Sequence, residues 1–370
     1  MSSEINPRFR GFEQGSHVTI IAEAGTAHRG SLHTAKELIA AAREAGADAV
    51  KFQAVIADEI VHPEVGCIEL PGGSTDIYSE FKNLERPPEF YGKLKELTEA
   101  EGLSFLCTPF GAKSAEMLLD MDIEWIKIAS PELNHYPLLD RVMEKPLILS
   151  SGVSTLADIE ESLSYLKSPI ALLHCISAYP APEEEYNLRL IPLLSNLFGV
   201  PVGVSDHSRG SVLVPALSTA VGAVIIEKHL TLSTSAGGLD DPLSLKPPEF
   251  AEMVRAIRQS EGKGVDEVSG IIEGFLGRRE AGKIESILGT GVKRLAPGEE
   301  AFYGGTKRSL VALRNIEKGE RLHEDNAALL RSEQGHTPGL PPRFYRQVMG
   351  SKLTSPAEAA EGIRWSHLLL

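Results

Sequence analysis

The chain has 370 residues, of which 42% are hydrophobic and 24% charged, a composition that predicts a globular protein with a large core and room for more than one domain. Its formal net charge of −14, from 37 basic and 51 acidic side chains, excludes the broad positive surface that nucleic acids or anionic lipids require. Three scattered cysteines, no apolar stretch of about 20 residues and no signal-peptide core in residues 1–15 predict a protein of the reducing cytoplasm, without a disulfide framework or a membrane span.

Over the first two-thirds of the chain, short runs rich in Val, Ile and Leu alternate with amphipathic stretches. Strands are predicted at 18–22, 49–50, 105–107, 125–129, 147–149, 170–173, 202–204 and 224–226. Helices are predicted at 32–45, 88–101, 114–121, 155–166, 187–197, 211–221 and 248–260. Nearly every predicted strand runs into a residue that can bind or react. Because the active sites of (β/α)8 barrels lie at the carboxyl ends of the strands, the pattern predicts a TIM-barrel enzyme.

A long insertion interrupts the barrel pattern at residues 54–86 and is rich in Pro, Gly and Ser. A loop of this length at a barrel mouth is expected to cover the substrate. We place the barrel domain at residues 1–262, and a charged linker that contains a helix at residues 263–302.

Residues 303–370 predict a small β-rich unit. It has a predicted strand at Ser309–Leu313, a turn at Ile316–Glu320, and a helix that runs into a strand over Leu322–Leu330. A unit of about 65 residues is near the lower limit for independent folding, so we expect it to dock on another surface.

Two histidines follow the last two predicted strands. His207 ends the segment Ser205-Asp206-His207 and His229 ends Glu227-Lys228-His229, so both imidazoles reach the same barrel mouth. Neither spacing is a metal signature by itself, and each residue alone is equally a polar loop histidine. Their position at adjacent strand ends, beside carboxylates, favours a shared divalent metal ion.

Two lysines lie inside the second and fourth predicted strands. A barrel interior does not hold a buried ammonium without an anionic partner, so Lys51 and Lys127 either pair with a resident carboxylate, such as Glu23 or Glu132, or bind an anionic substrate. Hydroxyl groups accompany them at Thr108, Ser130, Ser150 and Ser205. Point charges together with directional hydroxyls favour a substrate with phosphate and carboxylate groups. Tyr179, after the sixth strand, either contacts a polar substrate or packs its proline-rich loop.

Taken in order, these segments resemble the sialic acid synthase family. The matching pieces are Ile21–Gly25, Val50–Gln53, Thr108–Phe110, Lys127–Glu132, Leu149–Gly152, His174–Pro180, Ser205–His207 and Glu227–His229. The C-terminal unit, through Arg308–Ala312 and Ile316–Glu320, is similar to the antifreeze-like (SAF) domain of the same enzymes. The resemblance covers nearly the whole chain and implies a TIM barrel followed by an SAF domain.

The resemblance implies a transferase of carbohydrate biosynthesis that condenses phosphoenolpyruvate with an N-acetylated amino sugar, by default N-acetylmannosamine. The product is a nine-carbon 2-keto acid, and phosphate is released. His207 and His229 would bind Mn²⁺ or Mg²⁺, which polarises the sugar aldehyde. The residues implied for phosphoenolpyruvate are Lys51, Thr108, Lys127, Ser130, Ser150 and Ser205.

On the sugar side the resemblance implies contacts from Glu23, Gln53, Tyr179 and Asp240. Glu132 is a candidate to position or deprotonate the attacking water. An arginine of the SAF domain, here Arg331, would reach the sugar in the neighbouring subunit, which implies a domain-swapped homodimer.

Departures from the family pattern lie on the sugar side. Ala27-His28 replaces an Asn-His pair, Gly238–Asp241 replaces Gly-Pro-Asp-His, Arg331–Glu333 replaces Arg-Pro-Gly, and Ser177 stands where sialic acid synthases use an asparagine for the N-acetyl group. The segment Ser177–Pro182 is more similar to pseudaminic acid synthases. The alternatives are therefore the same chemistry on a di-acetamido hexose, giving a pseudaminic or legionaminic acid, an aldolase making a shorter keto-sugar acid, and a non-catalytic sugar-binding barrel.

Overall fold

The computed structural model describes residues 17–70, 73–167, 170–333 and 336–369. The segment 1–15, for which we predict no signal peptide, lies outside the described residues. The strands are β1 (Thr19–Gly25), β2 (Ala49–Ala54), β3 (Cys67–Leu70), β4 (Gly73–Asp76), β5 (Ser104–Pro109), β6 (Ile126–Ile128), β7 (Leu147–Ser150), β8 (Ile170–Cys175), β9 (Val202–Asp206), β10 (Ile225–His229), β11 (Arg308–Ala312) and β12 (Ala327–Arg331).

The helices surround the barrel and continue into the C-terminal part of the chain. They are α1 (Leu32–Ala45), α2 (Ile77–Leu84), α3 (Pro88–Ala100), α4 (Ala112–Leu119), α5 (Tyr136–Val142), α6 (Leu156–Tyr165), α7 (Leu190–Phe198), α8 (Leu213–Ala220), α9 (Pro247–Ser260), α10 (Val265–Leu276), α11 (Ala281–Leu288), α12 (Pro297–Glu300), α13 (Tyr303–Thr306) and α14 (Tyr345–Val348). Among the described residues, no helix combines the length and the apolar character that crossing a membrane requires.

Eight parallel strands close into a barrel, so the predicted TIM-barrel fold is confirmed. The order around the barrel is β1-β2-β5-β6-β7-β8-β9-β10, and β10 pairs again with β1. The register brings the catalytic candidates to one level, because Glu23 pairs with Lys51 on one side and with His229 on the other. This level is the carboxyl end of the strands, where a barrel presents its active site.

Except for β6, which is shorter than predicted, the barrel strands extend further than the sequence predicts and include reactive residues themselves. β2 continues through Lys51 and Gln53, and β10 continues through Glu227 to His229. The ladder hydrogen bonds belong to the backbone, so a polar side chain does not end a strand when it faces the interior of a barrel mouth.

One barrel helix, α5, is absent from the sequence prediction. It has only seven residues, with Pro137 in its first turn, which is too short for a helical period to stand out. Longer helices carry clear end signals: the Ser31 hydroxyl accepts the Thr34 N–H at the start of α1, and Gly46 ends that helix in the left-handed conformation.

The insertion at residues 54–86 folds into the β3–β4 hairpin and α2 at the barrel mouth. Its buried apolar side chains form one cluster with Phe110 of the barrel, comprising Val55, Ile60, Val61, Val65 and Ile77. Because these side chains are buried against the barrel, the insertion has a fixed place beside the site.

The segment predicted as a linker contains α10, α11 and α12. Val268 and Ile272 of α10 and Ile287 of α11 are buried in the same apolar cluster as the barrel residues. We call residues 289–307, which lead from α11 to β11, the connector.

Residues 308–369 form what we call the cap. The antiparallel pair β11–β12 packs on a small apolar core of its own that includes Leu310, Ile316, Leu329 and Ile363. The predicted helix at the start of Leu322–Leu330 is wrong, because residues 322–326 form a turn. The Asn326 side chain bonds to the His323 N–H and the Arg321 carbonyl, and such side-chain bonds compete with a helix.

The cap docks on the barrel of its own chain. The Arg331 N–H donates to the Ile60 carbonyl oxygen at 2.9 Å, and His62 lies 3.2 Å from the Leu313 carbonyl oxygen. Both contacts are made with the insertion, so insertion and cap together form one side of the barrel mouth.

Candidate active site

A cavity of about 390 Å³ opens at the carboxyl end of the barrel. All of the predicted site residues border it except Thr108 and Glu132. The predicted residues that line it are Glu23, Lys51, Gln53, Lys127, Ser130, Ser150, Ser177, Tyr179, Ser205, His207, His229, Asp240 and Arg331. Barrel, insertion, connector and cap all contribute to the lining, so the site is assembled from segments that are distant in sequence.

Both interior lysines lie beside Glu227. Its carboxylate oxygens are 3.7 Å from the Lys51 ammonium and 3.6 Å from the Lys127 ammonium. Lys51 also pairs with Glu23 at 2.8 Å, and Lys127 donates to the Ser150 hydroxyl at 2.8 Å. The lysines therefore have resident carboxylates, one of which the sequence proposed, and they still border the cavity.

We call Lys51, Lys127, Glu23 and Glu227 the lysine layer. Thr108 does not border the cavity but contacts this layer, because its hydroxyl oxygen accepts a hydrogen bond from the Lys51 ammonium at 3.3 Å. Ser205 donates its hydroxyl hydrogen to Glu227 at 2.8 Å. These hydroxyls orient the charged groups, so Thr108 acts through Lys51.

Burial and neighbouring charge set the protonation of this layer. Burial alone would raise the pKa of Glu227, but Lys127 and Lys51 lower it to about 2. Burial would also lower the pKa of Lys51, and Glu227 and Glu23 outweigh it, so that the pKa of this lysine lies above its ordinary value. For Lys127 burial prevails and lowers the pKa, while for Glu23 burial raises it. Glu23 and Lys127 are therefore the two groups of the layer whose charge is least favoured.

A compact group of hydroxyls lies between the ends of β6, β7 and β8. The Ser130 hydroxyl oxygen accepts the Gly152 N–H at 3.0 Å. A methyl group at Gly152 would lie 2.1 Å from the Ser177 hydroxyl oxygen and 2.8 Å from that of Ser130, so only glycine fits there. Ser177 is buried, and its hydroxyl oxygen has no partner within the part of the chain that the structure describes. This hydroxyl is free to bind a polar group in the cavity.

The two predicted metal ligands lie close together in the cavity, at the ends of β9 and β10. The ring centroids of His207 and His229 are 5.6 Å apart. Nδ1 of His207 lies 2.8 Å from the Ile176 carbonyl oxygen, which leaves Nε2 as the lone-pair nitrogen of the neutral ring. A backbone carbonyl behind the imidazole is the usual support of a metal-binding histidine. In the described residues no group of three or more His, Cys, Asp or Glu side chains has ligand geometry, so water or substrate oxygens would complete the coordination.

Protonation differs between the two histidines. Burial, assisted by His207, lowers the pKa of His229 to about 4, which leaves this ring neutral and able to bind a metal. Burial would lower the pKa of His207 too, but the Cys175 thiol 3.7 Å from Nδ1 and the Ile176 carbonyl raise it to about 9. A metal ion at this pair would therefore displace a proton from His207.

The remaining predicted residues form the outer part of the cavity. Gln53 donates its amide to Glu23 at 2.7 Å, and the Tyr179 ring lies 4.5 Å from the His207 ring, centroid to centroid. Asp240 borders the cavity beside them. The cavity also has an apolar wall, which we define as the insertion residues Val55, Ile68, Ile77, Phe81 and Leu84.

Glu132 lies below the cavity in a buried cluster with two arginines of the cap. One of its oxygens accepts from Arg308 at 2.8 Å and from Arg331 at 2.8 Å, and neither the glutamate nor Arg308 exposes its side chain. Arg331 alone of the three reaches the cavity. The direct effect of Glu132 in this structure is thus to hold Arg331 in place.

Several lining residues were missed by sequence reasoning. Glu227 was noted only as a neighbour of His229, although a carboxylate that ends an interior strand beside two lysines is itself a signal. Phe302 and Thr306 of the connector carry no sequence signal, because only the docking of the cap brings them to the cavity.

Comparison with known proteins agrees with this geometry. The model of the NeuB family matches residues 38–267, and that of the SAF domain matches residues 307–369. The chain belongs to the NeuB family. The resemblance read from its motifs is thereby confirmed, as is the C-terminal SAF domain. NeuB-family enzymes are phosphoenolpyruvate-dependent sugar-acid synthases, and this chain is an enzyme of that kind.

Relatives of this NeuB-family enzyme match along almost its whole length. It is 33% identical to the N,N'-diacetyllegionaminic acid synthase of Legionella pneumophila, with 96% of each chain covered. It is 34% identical to a pseudaminic acid synthase of Campylobacter jejuni, over 96% of this chain and 98% of the relative. The crystal structure of the spore coat polysaccharide biosynthesis protein SpsE of Bacillus subtilis is 34% identical, with a TM-score of 0.80 and 96% of each chain covered.

Proposed function

We propose that the enzyme condenses phosphoenolpyruvate with an N-acetylated hexosamine to a nine-carbon 2-keto acid and releases phosphate. The observation that carries this proposal is the layer of Lys51 and Lys127 with its hydroxyls, directly beside the pair His207 and His229. Two cations and several hydroxyl donors suit a small substrate with a phosphate and a carboxylate group.

Phosphoenolpyruvate would bind at the lysine layer. Lys51 and Lys127 would neutralise its anionic groups, while the hydroxyls of Ser130, Ser150 and Ser205 would orient them. The unpartnered Ser177 hydroxyl lies beside the Ser130 hydroxyl and would donate a further hydrogen bond to phosphoenolpyruvate, rather than contact the sugar as its position in the family pattern implies.

In the reaction, C3 of phosphoenolpyruvate forms a bond to the aldehyde carbon of the open-chain sugar, and water adds at C2. The C2–O bond to phosphate then breaks, which leaves the 2-keto acid. Glu23, Gln53, Tyr179 and Asp240 would bind and orient the sugar hydroxyls. The cap arginine Arg331 would contact the sugar from above and, with the insertion, exclude bulk water.

His207 and His229 would hold a divalent cation, Mn²⁺ or Mg²⁺. When bound, this ion supplies Lewis-acid polarisation of the sugar aldehyde. The support of the His207 ring by the Ile176 carbonyl and the neutral state of His229 fit that role.

For the acceptor, the apolar wall favours a di-acetamido hexose over N-acetylmannosamine. A second acetamido group replaces a sugar hydroxyl and adds a methyl group, which Phe81 and Leu84 would bury at about 0.8 kcal/mol per carbon. The names of two close relatives, a legionaminic and a pseudaminic acid synthase, support the same choice.

The decisive experiment measures phosphate release from phosphoenolpyruvate with Mn²⁺ and a panel of sugars. The panel contains N-acetylmannosamine, its 6-phosphate and the di-acetamido hexoses. We expect turnover with a di-acetamido hexose, and a preference for N-acetylmannosamine would contradict the role given to the apolar wall. If no sugar in the panel reacts and phosphoenolpyruvate does not bind, the proposed substrates are wrong.

The metal assignment has its own test. His207→Ala should remove metal-dependent phosphate release, by about 1000-fold or more, because one of only two protein ligands is lost. Loss of Mn²⁺ binding in calorimetry is the independent measurement. Full activity of the variant with unchanged metal dependence would overturn the assignment.

We further propose a homodimer that exchanges caps, located in the cytoplasm. The contacts of Arg308 and Arg331 with the barrel are the same whether the cap belongs to one chain or to its partner, so exchange needs a different path only in the part of the connector that follows Glu299. The free thiols of Cys67, Cys107 and Cys175 suit a reducing compartment. A monomeric mass in solution at micromolar concentration, together with full activity, would contradict the dimer.

A further inference from the structure

A buried carboxylate of the connector binds two loops of the active site. One oxygen of Glu299 accepts the Val153 N–H at 2.6 Å and the Ser177 N–H at 2.8 Å. Its other oxygen accepts the Ala296 N–H at 3.2 Å, within the connector itself. Glu299 is fully buried and lies more than a hundred residues from both loops in sequence. β7 and β8 pair as neighbours up to Ser150 and Leu173, and beyond that point a single oxygen of Glu299 bridges the two loops that follow them.

The two loops, which follow β7 and β8, adjoin the hydroxyls of Ser130, Ser150 and Ser177 in the cavity. Val153 follows Gly152, whose backbone lies against Ser130 and Ser177, and β7 before it ends at Ser150. Ser177 follows β8 and holds the unpartnered buried hydroxyl. The distance between the loops decides whether these hydroxyls can bind one substrate group together, and Glu299 bridges them.

The backbone at Val153 shows that this arrangement does not arise from local preference. Its φ is +42°, a left-handed conformation that a β-branched residue rarely adopts. Such strain persists only where surrounding contacts enforce it, and it concentrates at functional sites. The Val153 N–H is held by a charged acceptor, and charge-assisted hydrogen bonds are about twice as strong as neutral ones.

The connector also places a positive charge near this carboxylate. The Lys293 ammonium is buried without a hydrogen-bond partner in the described part of the chain. Burial lowers the pKa of Lys293, and the Glu299 carboxylate is the strongest of the charges that counteract the shift. The negative charge of Glu299 thus favours the charged form of Lys293 in the connector and also strengthens the hydrogen bonds to both loops.

We propose that Glu299 is a positioning residue for phosphoenolpyruvate: it fixes the loops after β7 and β8 so that the hydroxyls of Ser130, Ser150 and Ser177 bind the same anion. This inference rests on the proposed function, because it concerns the same site. It adds that the connector, which joins the catalytic barrel to the cap, is part of the binding site for the anionic substrate.

The test compares Glu299→Ala and Glu299→Gln with the control Glu300→Ala, whose side chain is exposed at the next position. Steady-state phosphate release gives KM for phosphoenolpyruvate and for the sugar separately. Glu299→Ala should lower kcat/KM for phosphoenolpyruvate by about 100-fold, mostly through KM, since a displacement of about 1 Å is enough for such a loss. The KM of the sugar and its preference within the panel should change little, because the apolar wall and Asp240 do not contact Glu299.

Glu299→Gln keeps a carbonyl oxygen for both loop N–H groups but loses the charge. With neutral hydrogen bonds about half as strong, the loss should shrink from about 100-fold to about 10-fold. A residue that only stabilises the fold would lower the melting temperature and the amount of active enzyme, but it would leave both KM values unchanged. If Glu299→Ala does not fold, the KM of Glu299→Gln decides.

Direct binding of phosphoenolpyruvate, measured by calorimetry without any sugar, separates this inference from the proposed function. If the parent enzyme turns over and Glu299→Ala binds phosphoenolpyruvate as tightly as Glu300→Ala, the inference is wrong and the function stands. If the parent binds phosphoenolpyruvate but no sugar in the panel reacts, the choice of acceptor fails while a weakened Kd in Glu299→Ala still supports the inference. If the parent does not bind phosphoenolpyruvate, both are overturned.

Discussion

Replacement of Arg308 by methionine should detach the cap from the barrel. Arg308 belongs to the cap, and its side chain is fully buried where the cap meets the barrel and the insertion. Its guanidinium donates to Glu132 at 2.8 Å, to the Phe110 carbonyl oxygen at 2.7 Å and to the Glu59 carbonyl oxygen. Methionine fills much of the volume and provides none of these donors, so the substitution tests polar contacts rather than packing.

The expected loss follows from what remains unpaired. The carbonyl oxygens of Phe110 and Glu59 lose a charged donor inside the interface, at about 1–3 kcal/mol each. Glu132 keeps Arg331 as its partner, so its charge stays compensated in part. We therefore expect a decrease of about 3–5 kcal/mol in the free energy that holds the cap, the range found when one partner of a buried ion pair is removed.

Urea unfolding measures this loss, with Trp125 reporting on the barrel and Trp365 on the cap. The cap transition of Arg308→Met should move to lower urea concentration and separate from the barrel transition. The matched control is Arg314→Met, because Arg314 is a cap arginine whose ion pair with Glu320 is open to solvent and contributes little to stability. A shift for Arg308→Met no larger than that of the control would refute the reasoning.

Two further predictions concern the loops and the connector. Gly152→Ala places a methyl group 2.1 Å from the Ser177 hydroxyl oxygen and should lower kcat/KM by about 100-fold. The control Gly274→Ala, whose methyl group meets open space, should leave the kinetics unchanged. Equal activities of the two variants would contradict the close packing at Gly152. Burial would raise the pKa of Asp158, but the Lys307 ammonium at 2.9 Å and hydrogen bonds hold it below the ordinary value. Its stabilising effect is therefore present above about pH 4 and is lost as the pH falls through the lowered pKa. Asp158→Asn should lower the free energy of unfolding by about 1–3 kcal/mol at pH 7, as measured by urea titration. The difference from the parent enzyme should shrink towards pH 3. A difference independent of pH would show that the charge of Asp158 is not involved.

Much of the barrel could be predicted from local pattern. Each interior strand is a short apolar run, and the long helix α1 is marked by its caps Ser31 and Gly46. The register of a closed barrel then brings strand ends to one level, which is why Glu23, Lys51 and His229 could be assigned to one site before their contacts were known. The short helix α5 and the turn at residues 322–326 were not predicted correctly, since few residues and local side-chain bonds decide them.

By itself, the sequence determined the barrel and the set of polar groups at the strand ends, because hydrophobic period and strand order are local properties that topology converts into neighbours. The SAF domain was identified from the resemblance of its motifs to a known family. The tertiary structure alone decided how the site is enclosed. Docking of the cap pairs Glu132 with Arg308 and Arg331, and the path of the connector sends Glu299 to Val153 and Ser177. These contacts join residues more than a hundred positions apart. The hydrophobic periodicity of the sequence does not predict these contacts, because they depend on how the cap, the connector and the barrel pack against one another.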